Sequence, residues 1–181
     1  MARDLQQKFN RIYCTPGEPL FPRPEPLLPD TTASRLRSLR NPEKKMSKSD
    51  PDTKSCIYLT DSPDSIAAKV RACVTDSTKE LVYDPESRPG VANLIVILSE
   101  LEGRSPEVVT KELQEQGRTK VELKELVTAA LVDTLVPIQK DISRILEESG
   151  HLESVLEEGR DAARAIAVQT MNEVRRLIGF R

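Results

Sequence analysis

The placement of proline constrains this chain before any other feature does. From Cys14 to Asp30 prolines recur at every second or third position, through Thr-Pro-Gly-Glu-Pro-Leu-Phe-Pro-Arg-Pro-Glu-Pro-Leu-Leu-Pro-Asp. Each lacks an amide donor and biases its predecessor away from the helical region, so this stretch predicts a loop that follows a surface. Farther on, proline changes role. In Thr60-Asp61-Ser62-Pro63 and Ser105-Pro106-Glu107 it follows a capping hydroxyl, the position at which proline starts a helix. A boundary near residue 60 follows, with helix after helix beyond it.

Local patterns fill in the elements. Leu5, Phe9 and Ile12 fall on one face of a helix over Met1 to Ile12. Short strands are expected at Leu36 to Leu39 and Cys56 to Leu59, separated by a polar stretch from Glu43 to Ser55. Beyond Pro63, Ile66, Val70 and Cys73 share a helical face, and Val91 to Leu98 is apolar enough to be central. A long amphipathic helix runs from Val121 to about Glu148, with a kink expected at Pro137 and an end at Gly150. The last helix, Leu152 to Ile178, carries a stripe through Val155, Leu156, Ala163, Ile166, Ala167, Val174 and Leu177. Its helices are expected to bury one another without outside help. The fold class is therefore mainly α.

Composition sets limits on function. Aromatic residues are only 3% and tryptophan is absent, so the core must be built from Leu, Ile, Val and Ala. No apolar run approaches the roughly 20 residues of a membrane helix. With a net charge of -2 and a pI of about 5.6, the chain is not a general nucleic-acid coat, and any RNA contact must be local. Cys14, Cys56 and Cys73 show neither metal-ligand spacing nor a redox pair, and no metal site is expected. His151 reads as a surface or capping residue. Asp76 and Asp84 lie in polar turns and read as turn caps rather than as an acid/base pair.

One window concentrates positive charge: Arg35, Arg37, Arg40, Lys44, Lys45 and Lys48 stand against Glu43 alone. Within it, Lys45-Met46-Ser47-Lys48-Ser49 combines flexible ammoniums with short hydroxyl donors. Such groups suit charge that develops on departing phosphates, because a lysine on a long stem can follow a leaving group.

This pentapeptide resembles the ATP-phosphate loop of class I aminoacyl-tRNA synthetases, and further segments are similar to the tryptophanyl members. They are Ala2-Arg3-Asp4-Leu5 to Phe9-Asn10, Ser38-Leu39, Ser47 to Pro51, Val74-Thr75-Asp76-Ser77, Tyr83-Asp84-Pro85-Glu86, Gly90-Val91-Ala92-Asn93-Leu94 and Pro137-Ile138. The resemblance implies the C-terminal portion of a Rossmann-type α/β catalytic domain over residues 1–60, then an α-helical, anticodon-approaching region over 61–181. It implies ATP with magnesium, tryptophan and tRNA-Trp as ligands and partners, and a homodimer. Lys45 and Lys48 would be catalytic. Leu36, Lys45, Met46, Ser47, Lys48 and Ser49 would bind ATP, whereas Arg37 departs from the family's usual methionine.

The family's His-Ile-Gly-His segment and tryptophan pocket have no counterpart here, and Met1 sits where the family has an internal residue. The chain therefore reads as a fragment. Half of a parallel sheet is expected to expose its edges and to leave the first 60 residues poorly held. The alternative is a non-catalytic module that binds tRNA or pairs with synthetase subunits. The Leu39-Arg40-Asn41-Pro42 run and the Leu177 to Phe180 terminus are most similar to mitochondrial members, so the matrix is expected, or the cytoplasm for a bacterial protein.

Overall fold

The computed structural model describes residues 1–27 and 36–180; Arg35 and the end of the proline-rich stretch lie outside them. Among these residues there are six α-helices and no strand. The helices are α1 (Ala2–Tyr13), α2 (Pro63–Arg71), α3 (Pro89–Glu102), α4 (Pro106–Glu115), α5 (Lys120–Glu147) and α6 (Ser149–Ile178), with a 3-10 turn at Thr53–Ser55. Residues 29–143 form one compact unit, and residues 1–28 with 144–181 another.

In the first unit the helix starts follow from their sequence. Ser62 accepts from the Ser65 amide at 3.2 Å and Ser105 from the Val108 amide at 3.4 Å, each with proline at the next position. At α5 a capping box operates: Thr119 accepts from the Glu122 amide at 3.3 Å, and Glu122 accepts from the Thr119 amide at 2.7 Å. Helix α3 is buried continuously from Gly90 to Ser99. Around it, Ile66 and Val70 of α2, Val109 and Leu113 of α4, and Leu123 and Val127 of α5 complete the core. Helix α5 continues unbroken through Pro137.

The expected strands do not form. At Leu36 to Leu39 there is a single antiparallel bridge, Arg37 to Lys45. At Cys56 to Leu59 the backbone is satisfied by side chains: the Cys56 carbonyl accepts from the Lys69 ammonium at 3.0 Å, and the Tyr58 amide donates to Asp61 at 2.8 Å. With those groups taken, no ladder is needed. Nor is this segment poorly held. Ser38, Leu39 and Ser55 are buried, the Leu39 amide donates to the Ser55 carbonyl at 2.9 Å, and the Val74 amide donates to the Leu39 carbonyl at 2.8 Å. The core reaches back past residue 60, to Leu39 with Leu36, Met46 and Ile57 packed against it, and no sheet edge forms among the described residues.

The second unit is differently built. Arg3, Gln6 and Asn10 of α1 donate to carbonyls of Phe21 and Pro24, and Phe9 stacks edge-on to Phe21 at 5.1 Å. The last helix starts at Ser149, so Gly150 lies in its first turn and does not end α5; the break falls at Glu148. The α6 stripe is not buried as expected. Leu152, Val174 and Leu177 are half-buried, but Val155, Leu156 and Ile166 are exposed, Ile166 by 72%. A stripe is buried only where a complementary apolar face meets it, and no described residue of α1 or α6 is buried.

Candidate phosphate-binding loop

The basic window is a two-turn hook anchored on the helical core. Asn41-Pro42 makes the first turn, closed by the Lys44 amide donating to the Asn41 carbonyl at 2.9 Å. Ser38 supports it, its hydroxyl accepting from the amides of Arg40 and Asn41 at 3.3 and 3.1 Å. The chain then returns antiparallel to Leu36–Ser38. The Ser38 amide donates to the Lys44 carbonyl at 2.9 Å, and the Met46 amide donates to the Leu36 carbonyl at 2.8 Å. Leu36 and Met46 are half-buried against the core, which leaves Lys45 between them pointing to solvent.

A second turn follows. The Asp50 amide donates to the Ser47 carbonyl at 3.3 Å, and the hydroxyls of Ser47 and Ser49 are 3.1 Å apart. Tyr58 donates its hydroxyl to the Lys48 carbonyl at 3.5 Å, while Asp50 and Asp52 accept from amides two residues ahead of each. Asp50 and Asp52 are thus occupied with the loop's backbone.

The positive charge divides into two kinds. The Arg37 guanidinium donates to the Glu43 carbonyl at 3.2 Å and, more weakly, toward that of Pro42, bracing the first turn. Arg40 pairs with Asp52 at 3.2 Å and reaches the Ala72 carbonyl. Both arginines are structural. Among the described residues, by contrast, the ammoniums of Lys44, Lys45 and Lys48 make no ion pair or hydrogen bond, and all three are exposed. Free ammoniums, two hydroxyls and a turn form a donor set for an anion with several oxygens. The cavity lined by Arg37, Tyr83, Pro85, Pro89, Asn93 and Val96 includes none of these donors and is only about 130 Å³. Small-molecule pockets run to roughly 300–1,000 Å³, so the loop offers a surface rather than an enclosed site.

The other candidates have structural employment. Asp84 accepts from the amides of Glu86 and Ser87 at 3.1 and 3.0 Å, a turn cap as expected. Asp76 caps the Thr78 amide at 2.8 Å, but it also holds Arg88 in a two-point pair at 2.9 and 3.0 Å that sequence reasoning missed. The hydrogen bond from Arg88 holds the Asp76 carboxyl down at about 2. His151 is exposed. Burial pushes the thiols of Cys56 and Cys73 up, which makes them poor nucleophiles. Among the described residues no group of His, Cys, Asp and Glu could hold a metal ion, and no helix is long and apolar enough to cross a membrane.

Comparison with known proteins fits this geometry. Residues 1–136 match the family described as tRNA synthetases class I (W and Y). Similar curated proteins include the tryptophan-tRNA ligase of Nostoc sp., 38% identical over 180 residues, which are 99% of this chain and 52% of that protein. The mitochondrial tryptophan-tRNA ligase of Saccharomyces cerevisiae is 35% identical over 181 residues, 99% of this chain and 46% of that protein. Among solved structures, the tryptophanyl-tRNA synthetase from Mycoplasma pneumoniae superposes with a TM-score of 0.84 at 27% identity, covering 99% of this chain and 52% of that one. The Campylobacter jejuni enzyme complexed with ADP and tryptophan gives 0.67 at 26% identity, with the same coverage. The chain spans about half the length of the curated relatives it matches. Loop, helical core and relatives agree: the chain belongs to the class I tRNA synthetase family, in its tryptophanyl branch.

Proposed function

We propose that this chain is part of a tryptophan-tRNA ligase and supplies the loop that handles the phosphates of ATP. The observation that carries the reading is the set of free ammoniums at Lys44, Lys45 and Lys48, displayed on a hook whose Asp50, Asp52, Arg37 and Arg40 are already engaged. Activation of tryptophan expels pyrophosphate. Lys45 and Lys48 stabilise the negative charge that grows on that leaving group, and Ser47 and Ser49 donate hydroxyls to its oxygens. Leu36 and Met46 hold the loop's base against the core and border the nucleotide. The donor set suits phosphate and not a bare cation, so magnesium would arrive with ATP and be held mainly through phosphate oxygens.

In this assignment residues 1–60 belong to the catalytic domain and 61–181 to the region that approaches the anticodon of tRNA-Trp. This division by role is separate from the compact units above. A tryptophan pocket and the partner loop for ATP lie outside these residues, so the chain by itself is expected to be inactive. Homodimerisation is part of the same reading, and so is a place in the mitochondrial matrix, supported by the similarity to a mitochondrial ligase, or in the cytoplasm for a bacterial protein.

The test is a chimera in which this chain replaces the matching part of the Nostoc ligase, assayed by tryptophan-dependent exchange of pyrophosphate into ATP. Exchange by the chimera, none by the chain alone, and a loss of ~10²–10³ in rate on Lys45→Ala or Lys48→Ala, with tryptophan binding little changed, are expected. An active chimera indifferent to both substitutions would remove the loop assignment. Binding of tRNA-Trp by the chain alone, with an inactive chimera, would favour the non-catalytic module.

A further inference from the structure

Besides its packing on the core and the backbone bonds of Leu39, the hook is met by one polar side chain of helix α3. Arg37 and Lys45 face each other as a pair flanked by the Ser38–Lys44 and Met46–Leu36 hydrogen bonds. In such a pair the central residue turns its own amide and carbonyl away from its partner. Arg37 thus presents an open peptide edge, which ordinarily needs another strand or water. Asn93 fills that place. The Arg37 amide donates to Asn93 Oδ1 at 2.8 Å, and Asn93 Nδ2 donates to the Arg37 carbonyl at 2.9 Å. The carboxamide turns an N–H and its oxygen to Arg37 in one plane, as a neighbouring peptide would, and the two bonds together fix which end is oxygen.

Asn93 is 5% exposed, between Ala92 and Leu94 in the continuously buried face of α3. A slip of the hook by one residue would bring Leu36 or Ser38 opposite it. Their hydrogen-bonding groups point to the other side, so the carboxamide and the peptide would both be left unpaired in the interior.

We infer that Asn93 is a positioning residue for the phosphate loop: α3 sets the register of the Leu36–Met46 hook through this one carboxamide, and thereby where Lys45 and Lys48 stand. The register claim rests on geometry alone; its consequence for phosphate rests on the function proposed above.

The test uses the full chain, comparing wild type with Asn93→Leu, which keeps the branched outline, is larger, and loses both bonds. Asn93→Ser serves as a second, less bulky variant should the first fail to fold. Amide hydrogen exchange by NMR should accelerate at least tenfold at Ser38 and Met46, while Ile95 and Val127 change less than threefold. Magnesium pyrophosphate, titrated against the amides of Lys45 to Ser49, should bind roughly tenfold more weakly to the variants. Unchanged exchange at Ser38 and Met46 in a folded variant would overturn the inference. So would equal acceleration in α3, which would make Asn93 a core residue with no particular duty to the loop. If wild-type amides ignore pyrophosphate while the variants still loosen the hook, the register claim stands and the phosphate reading falls.

Discussion

The Lys69 ammonium lies 2.6 Å from the Asp61 carboxylate, with only 9% and 12% of the two side chains exposed. Lys69 also donates to the Cys56 carbonyl and sits 4.5 Å from the centre of the Tyr58 ring, while Asp61 accepts from the Tyr58 amide and the Ser65 hydroxyl. Burial opposes the charge on Asp61, but the bonds from Lys69 and Tyr58 outweigh it, and its carboxyl stays below the ordinary value. This cluster replaces the strand expected at Cys56 to Leu59. Removing only the cation strands a buried carboxylate, so Lys69→Met should cost about 3–5 kcal/mol. Adding Asp61→Asn should recover part of that loss. Urea midpoints at constant slope would show it, and a double variant no better than Lys69→Met would contradict the account.

Gly90 offers a sharper steric test. A Cβ there would run into the carbonyl oxygen of Val74, a backbone atom, and the Val74 amide is itself tied to Leu39. Gly90→Ala should therefore cost about 2 kcal/mol or more, although alanine within a helix is usually favoured over glycine by roughly 0.5–1 kcal/mol. Gly159, inside α6 with nothing near its missing Cβ, is the control. There alanine should be neutral or stabilising. Equal thermal shifts for the two variants would show that the approach to Val74 relaxes freely.

Ser55 is fully buried, and its hydroxyl finds no partner among the described residues, though its amide and carbonyl are both bonded. An unpaired buried hydroxyl forfeits its bonds to water, a penalty of about 1–3 kcal/mol, part of which a small cavity would give back. Ser55→Ala should leave stability unchanged or raise it by up to ~1 kcal/mol. A loss of more than ~1 kcal/mol in urea unfolding would mean that the hydroxyl is bonded in solution.

These relationships explain which features the sequence disclosed. The starts of α2 and α4 were legible because cap and proline are adjacent, and Lys45 to Ser49 was legible because its chemistry is contiguous. The start of α6 was not, since Gly150 inside a first turn looks the same as Gly150 after a last one. Strand propensity at Leu36 to Leu39 and Cys56 to Leu59 was real, but side chains far along the chain took the hydrogen bonds. Asn93 reaches Arg37 across 56 residues, and Lys69 reaches Cys56 across 13. No local pattern announces either. The division of the basic window was hidden too: among its described residues Arg37 and Arg40 brace turns and the lysines remain available, which composition alone does not distinguish.

The loop that precedes α3 should respond to acid through Asp76. Its carboxylate holds Arg88 at two points, and Arg88 in turn donates to the carbonyls of Thr78 and Glu80, so one ion pair gathers residues 76–88. Lys120 approaches the same carboxylate at 3.9 Å. Arg88 first, then the Thr78 amide, pull the Asp76 carboxyl to about 2 from its ordinary 3.8, against the effect of burial. Because the folded value lies below the unfolded one, the contribution is fully present above pH 3.8. It is lost as pH falls from there toward 2. It is worth at most about 2 kcal/mol, since the carboxylate keeps some contact with water. Asp76→Asn should thus be less stable than wild type at pH 7 by that order, and the gap should close between pH 4 and pH 2 while other acids affect both proteins alike. Urea midpoints across this range would decide it: curves that stay parallel to the lowest pH would mean that Asp76 does not carry the pair in solution.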